Sequence, residues 1–460
     1  MSHSPTPTRP TPPPSTDESR RAFLRGAAAV GGLCLAPPTG AFASRRPLPD
    51  SVARYLKEHT VPRETVDRFL DPDARVWARF HPTYGYLLRD AFVRDGVDGA
   101  RTLGRYGRGR DFGGPRRQVN FPDAPCRINT YGDSFTQGHQ VSDGETWQEV
   151  LAAHFCEPVR NWGIGGFGVY QACRRMRDVE ASDMAASHLV LNIWGDDHHR
   201  SVYAWRWLSF PTEVLSSMTG VMFHANPWVH ARLTENGDLD ERPNLCPTPE
   251  SLYDLCDTER VIDLFGNDDV THALVAANTG RLDDADALRR LADAGGVGSL
   301  DLGDDASRRR AARHVMNRYA IAVGKLVVAD AARLAQSSGK RLMVLLSHPS
   351  GSVWRHCAGE TAEEAGEVDW HPTDFTESVR RRGLPVVDTV EAHVEDFARF
   401  RGTPKEYVDR YYIGHYTPTG NHFFAYAVKD QMVAWLNPLP PSYAGAGDET
   451  LLRFEGYLPE

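Results

Sequence analysis

The chain has 460 residues, 41% hydrophobic and 25% charged, with 52 basic against 61 acidic side chains and a net charge of −9. This make-up is that of a globular protein and excludes collagen-like, disordered and membrane-spanning classes. Net acidity with no basic tract beyond the leader argues against a nucleic-acid partner, which requires clustered Lys and Arg, and the length exceeds what one doubly wound sheet normally uses.

The first residues differ from the rest. A Pro/Ser/Thr-rich stretch leads into Ser19-Arg20-Arg21-Ala22-Phe23-Leu24, an apolar run from Ala27 to Pro37, and Ala41-Phe42-Ala43. Charge, a short apolar run and an A-x-A site is the order of an export signal, and the Arg pair before Phe-Leu resembles the twin-arginine type. That reading makes residues 1–43 a removable leader and places the protein in the periplasm or outside the cell. The competing readings are a short buried helix and a lipoprotein anchor at Cys34, although Leu33 stands where a small residue is expected. The leader carries four arginines and two acids, so the mature chain is more acidic still. No apolar run reaches the roughly 20 residues of a spanning helix, so no membrane span is expected. Beyond the leader are Cys126, Cys156, Cys173, Cys246, Cys256 and Cys357, with no C-x-x-C or zinc-like spacing and with their pairing open.

Residues 44–120 form a leading segment with helical signals from Val52 to Leu70 and a Gly/Arg-rich stretch from Arg101 to Arg117. Short apolar runs ending in polar or Gly-rich turns predict strands at Arg127–Tyr131, Pro158–Trp162, His188–Trp194, Arg341–Leu346 and Leu384–Val387. Ser142-Asp143-Gly144-Glu145 is a capping box, and Trp147, Val150, Leu151 and Phe155 follow with the spacing of a helix packing on a sheet. Strand and helix alternating in this way predict a three-layer α/β/α sandwich with a five-stranded parallel sheet of flavodoxin-like order. The first half of this unit spans 121–200 and the second half 340–437, with a tail over 438–460. The stretch between the third and fourth strands far exceeds the roughly 2 to 6 residues of an ordinary loop, so 201–339 is expected to fold as an insertion. It opens with Tyr203, Trp205, Trp207, Phe210, Phe223 and Trp228, and ends in a long helix from Ser307 to Ser338 capped by Gly339. The aromatics suit a sugar platform, an acyl pocket or the core of a subdomain.

Four blocks carry the chemistry. Gly132-Asp133-Ser134 ends the first strand, where a sheet of this type presents reactive groups. Asn161-Trp162-Gly163-Ile164-Gly165-Gly166 follows the second strand, Gly195-Asp196-Asp197-His198-His199 the third, and His415 stands five residues before Gly420 near the C-terminus. In kind and order these blocks resemble those of the SGNH/GDSL hydrolases, over residues 121–200 and 340–437. The resemblance implies a serine esterase acting on a carboxylic ester, with an acyl group on a carbohydrate among its substrates, and with no cofactor and no metal. Ser134 would be the nucleophile, His415 its general base, and the N–H groups of Ser134 and Gly166 parts of an oxyanion hole. Two positions depart from the family. Asp196 stands where an Asn amide would donate to the oxyanion, so either it is protonated or Asn192, His198 or another group donates instead. Tyr412 stands where an acid would orient His415, which leaves Asp409, Asp196 or a backbone carbonyl for that role.

Other readings compete. Acyl transfer to a sugar hydroxyl shares the first half-reaction, and a binding module that has lost activity would explain both departures. Gly163-x-Gly165-x-x-Gly168 matches the dinucleotide fingerprint of an NAD(P)-dependent oxidoreductase. Asp196-Asp197-His198-His199 admits a metal site or, more simply, a polar loop in which Asp197 accepts backbone N–H bonds. The oligomeric state is not legible.

Overall fold

Apolar residues alternating along five short strands build one sheet with two buried faces. The computed structural model describes residues 48–107, 109–218, 222, 224–362 and 368–444; the predicted leader and the end of the tail lie outside them. Strands β1 (Ile128–Tyr131), β2 (Arg160–Asn161), β3 (His188–Trp194), β4 (Arg341–Ser347) and β5 (Val386–Asp388) are all parallel. Their order is β2-β1-β3-β4-β5, the flavodoxin-like order. β2 is shorter than its apolar run because it is an edge strand, paired only through Asn129–Arg160 and Thr130–Asn161. β3 and β4 run in step from His188–Arg341 to Trp194–Ser347, so their carboxyl ends share one edge.

Leu189, Leu191 and Ile193 point with Leu342, Val344 and Leu346 into one core, whereas Val190, Met343 and Leu345 point into the other. The helices that matter for the site are the single turn α1 (Ser134–Gln137), α2 (Trp147–Phe155), α3 (Val169–Glu180), α4 (Asp197–Val202), α5 (Asp305–Ser337), α6 (Pro404–Tyr411) and α7 (Pro418–Trp435). α2 and α7 close one face through Trp147, Leu151 and Phe155 against Phe424, Val428 and Met432. α3 and α5 close the other, which completes the three layers. The capping box forms, with Glu145 accepting the Ser142 N–H at 2.7 Å, one turn ahead of α2.

The insertion does not fold apart from the sheet. It contains the hairpin His230–Leu233 and Leu239–Arg242 and the helices Thr258–Phe265, Asp269–Thr279 and Asp286–Gly295 before α5. Its Trp205, Phe265 and Leu288 share one buried cluster with Leu189 and Val344 of the sheet and with Val52 and Tyr55 of the leading segment. From Leu48 onward the chain is one compact unit. The predicted long helix is present, with Asp304 accepting the Ser307 N–H at 2.7 Å and Gly339 left-handed after its end. Trp205, Trp207 and Trp228 are core: their indole N–H groups donate to the carbonyls of Ala225, His59 and Tyr203. No sugar platform remains at these three rings. No described helix is long and apolar enough to cross a membrane, and all six described cysteines are free thiols.

A buried guanidinium ties the leading segment to the sheet edge. Arg116 is 3% exposed; its Nε bonds Asp143 at 2.9 Å, and its terminal nitrogens donate to the carbonyls of Gln137, Gly138 and Val141, each at 2.6 Å. Replacing it by Met leaves Asp143 buried without its counter-charge. Arg116→Met should therefore lose about 3 kcal/mol or more of unfolding free energy in denaturant titration, part of which Arg116→Met/Asp143→Leu recovers. A single variant within about 0.5 kcal/mol of wild type would contradict this account.

Candidate active site

β1 delivers Ser134 to the carboxyl edge of the sheet. A side chain at Gly132 would bring its Cβ to 2.1 Å from Thr136 Oγ1 and 2.6 Å from the Asn192 carbonyl, so only glycine lets the chain turn there. Asp133 then caps α1 by accepting the Phe135 N–H at 2.8 Å, and its other carboxylate oxygen lies 3.3 Å from Ser134 Oγ, which faces the C-terminal turn.

His415 reaches it from the turn between α6 and α7, a turn closed by the Tyr412–Tyr416 bridge and ended by Thr417, which caps α7. The His415 Nε2 lies 2.8 Å from Ser134 Oγ. On the other side of the ring, Gln140 Oε1 lies 3.0 Å from Nδ1 and accepts the His415 backbone N–H at 2.9 Å. The Gln140 amide N–H in turn donates to the Asp95 carbonyl at 2.9 Å. A backbone N–H can only donate and a carbonyl can only accept, so these two bonds orient the amide. Nδ1 therefore meets an acceptor and carries the proton, and the Nε2 lone pair faces the serine hydroxyl. Gln140 holds this pose at a φ of 69°, left-handed backbone that is unusual for a residue other than glycine.

The two acids expected to orient His415 do not do so. Asp409 lies exposed on α6 and pairs with Lys405 one turn earlier. Asp196 is bound to Arg200 at the start of α4. The orienting group is the Gln140 side chain, six residues after Ser134, where no motif marks it.

The oxyanion positions divide. Neither the Ser134 N–H nor the Gly166 N–H has an acceptor among the described residues, and both residues line the same pocket. The turn carrying Gly166 is pinned by the Tyr86 hydroxyl on the Gly165 carbonyl and by Gln137 Oε1 on the Gly165 N–H, each at 2.7 Å. Asp196 is corrected as a donor. Burial works to raise its pKa, but the charges of Arg200 and Arg206 outweigh it and hold the carboxyl below its ordinary value, so it is ionised and accepts. Asn192 donates to Thr136 Oγ1 at 3.1 Å instead, and His198 is buried in the core against Phe375.

The glycine turn does not present a dinucleotide site. A Cβ at Gly168 would lie 2.5 Å from the Asp197 carbonyl and from the Ser201 N, so α4 covers the start of α3 where a pyrophosphate would sit. The Asp-Asp-His-His run opens α4, with Asp196 just before its first turn, and its side chains diverge. Asp197 accepts the Trp194 N–H at 2.9 Å, in the bracing role expected of it, whereas His199 faces Asn317 at 3.1 Å. Among the described residues no three His, Cys, Asp or Glu side chains are grouped to hold a metal ion.

Arg200 is the electrostatic centre, meeting Asp133 at 3.4 Å, Asp197 at 2.9 Å and also Asp196. Burial pushes Asp133 and Asp197 up, and Asp197 further because of the Asp133 charge, while Arg200 pulls against both. Burial also pushes His415 well below its ordinary pKa, assisted by the positive charges of His139, Arg200 and Arg206. The pocket over Ser134 has a volume of about 280 Å³, with Trp77, Phe135 and Trp194 as its apolar walls. No family model matches the chain, and no curated protein matches its sequence.

An imidazole whose pKa is depressed stays neutral as pH falls through the ordinary histidine range, so the His415 ring should remain in the Nδ1–H form at pH 6.5 when followed by ¹⁵N NMR. Gln140→Glu places a carboxylate on Nδ1 and should raise the His415 pKa by about 1–3 units. A wild-type ring already half protonated at pH 6.5, or no upward shift in the variant, would sink this assignment.

Proposed function

We propose that the protein is a serine esterase that cleaves a carboxylic ester through a Ser134 acyl-enzyme, with His415 as general base and Gln140 as the group that positions it. The observation that carries this reading is the 2.8 Å contact between His415 Nε2 and Ser134 Oγ, made by residues 281 positions apart and with the imidazole held in the tautomer that accepts the serine proton. The block order that resembles the SGNH/GDSL hydrolases and the unengaged N–H groups of Ser134 and Gly166 support it. Residues 1–43, with their export-signal pattern, support a periplasmic or extracellular setting.

In this mechanism Ser134 Oγ adds to the ester carbonyl as its proton passes to His415 Nε2. The oxyanion accepts from the N–H groups of Ser134 and Gly166, where one good donor is worth about 3 kcal/mol of barrier. Collapse breaks the ester C–O bond, and the imidazolium protonates the departing alkoxide. Water, deprotonated by the same imidazole, then releases the acid and restores the serine. Gln140 orients the ring but carries no charge, so it stabilises the imidazolium less than a carboxylate would.

Turnover of p-nitrophenyl acetate, butyrate and octanoate tests the proposal. Ser134→Ala should abolish turnover, and Gln140→Leu should lower kcat by about 100-fold or more, less than the roughly 10⁴-fold that a wrong tautomer costs where the orienting group is a charged Asp. Equal rates for wild type and Ser134→Ala would refute the esterase reading.

A further inference from the structure

The walls of the Ser134 pocket carry two cations. Arg200 and Arg206 line it beside His139, His224 and His415, whose pKa values burial lowers, and no Asp or Glu does, in a chain whose net charge is −9. Arg200 is already committed to three carboxylates. Arg206 is not: among the described residues no carboxylate pairs with it, and the nearest acidic influence, Asp196, is bound to Arg200. Its Nη1 donates to His224 Nδ1 at 3.1 Å and reaches the Gly166 carbonyl at 3.5 Å, and its guanidinium lies 5.6 Å from the Phe210 ring centre. These contacts engage one nitrogen and one face of a group with five donors. Burial and the neighbouring Arg200 lower its pKa to about 10, which still leaves it cationic at neutral pH. A half-buried cation held without a counter-ion beside a reactive serine costs free energy that an anionic ligand would return.

Resting on the esterase reading, we propose that Arg206 forms an anion subsite, so that the preferred substrate is an ester bearing a carboxylate or similar negative group within reach of Ser134. The apolar walls take the carbon skeleton, and the guanidinium takes the charge, bidentate where the geometry allows. The groove that meets this pocket at Trp77 continues the sign. Arg75, Arg79 and Arg89 line it against Asp90 and Asp111, with Arg110 paired to Asp183, and the Arg89 charge adds to burial in lowering Arg79. An approaching anion is thus drawn along one surface to the serine.

Two matched pairs of probes decide where the charge sits: 4-acetoxybenzoate with 4-acetoxybenzamide for a charged alcohol, and the mono-p-nitrophenyl ester of adipic acid with p-nitrophenyl hexanoate for a charged acyl group. In at least one pair kcat/KM of wild type should favour the anion by about 10- to 100-fold, the worth of one charge-assisted hydrogen bond. Arg206→Gln should bring that ratio near one, and Arg206→Lys should restore part of it. Titration of Ser134→Ala with 4-acetoxybenzoate and with adipate gives a reading independent of turnover, and binding of the preferred anion should be lost in Ser134→Ala/Arg206→Gln. No preference in either pair overturns the subsite, as does a ratio unchanged in Arg206→Gln, which would make Arg206 an oxyanion donor instead. If no ester is turned over, the esterase reading falls alone; the titration then decides the subsite, and failure of both anions to bind rejects it.

Discussion

A guanidinium buried in protein keeps its charge and needs acceptors for five donors, and Arg116 meets that need by gripping the loop that follows Ser134. The carbonyls of Gln137, Gly138 and Val141 stand on both sides of His139 and Gln140, so the loop has little freedom at the point where it must hold His415. Asp95 supplies the carbonyl that sets the Gln140 amide the right way round. Both Arg116 and Asp95 belong to the leading segment. A stretch that resembles an appendage in the sequence is thus what orients the His415 ring toward Ser134.

The insertion has a similar role from the opposite side. Its aromatic opening runs through the core beside the sheet, and the buried Trp205 and Trp207 flank Arg206 in sequence, which anchors the chain on either side of that guanidinium. Leading segment, sheet and insertion contribute Trp77, Phe135 and Arg206 to one pocket. A common hydrophobic cluster makes this possible, because a lid on a separate core would not hold a charged side chain at a fixed distance from the serine.

The charge distribution turns on Gln140 and Asp196. Gln140 is uncharged, and among the described residues no carboxylate bonds the His415 imidazole, whose pKa burial and the charges of Arg200 and Arg206 lower. Asp196 binds Arg200 and helps to keep that cation beside the pocket. On the Ser134 side, Arg206 is the guanidinium with which no carboxylate among the described residues pairs. Under the proposed mechanism an imidazolium at His415 would have no fixed counter-charge of its own, so the oxyanion and a substrate anion would be its electrostatic partners.

The five strands, the capping box, the long helix of the insertion and the facing of Ser134 by His415 were legible in the sequence, because each rests on local periodicity or on a block next to a strand end. Gln140 was not, since a lone glutamine in a loop carries no pattern and its role comes from a contact 275 positions away. Asp409 misled because nearness along the chain is not nearness in space: α6 turns its carboxylate outward to Lys405. The Gly163-x-Gly165-x-x-Gly168 spacing marked real steric demands, but only the packing of α4 on Gly168 showed which ones. The sequence by itself determined the sheet and its order of elements and pointed to Ser134 and His415 as a pair, since backbone propensity and apolar alternation act over a few residues. The tertiary structure alone decided which groups orient the His415 ring, bar the dinucleotide site and leave Arg206 with no carboxylate partner among the described residues, because those depend on charges and hydrogen bonds brought together from distant segments, where burial makes each of them count.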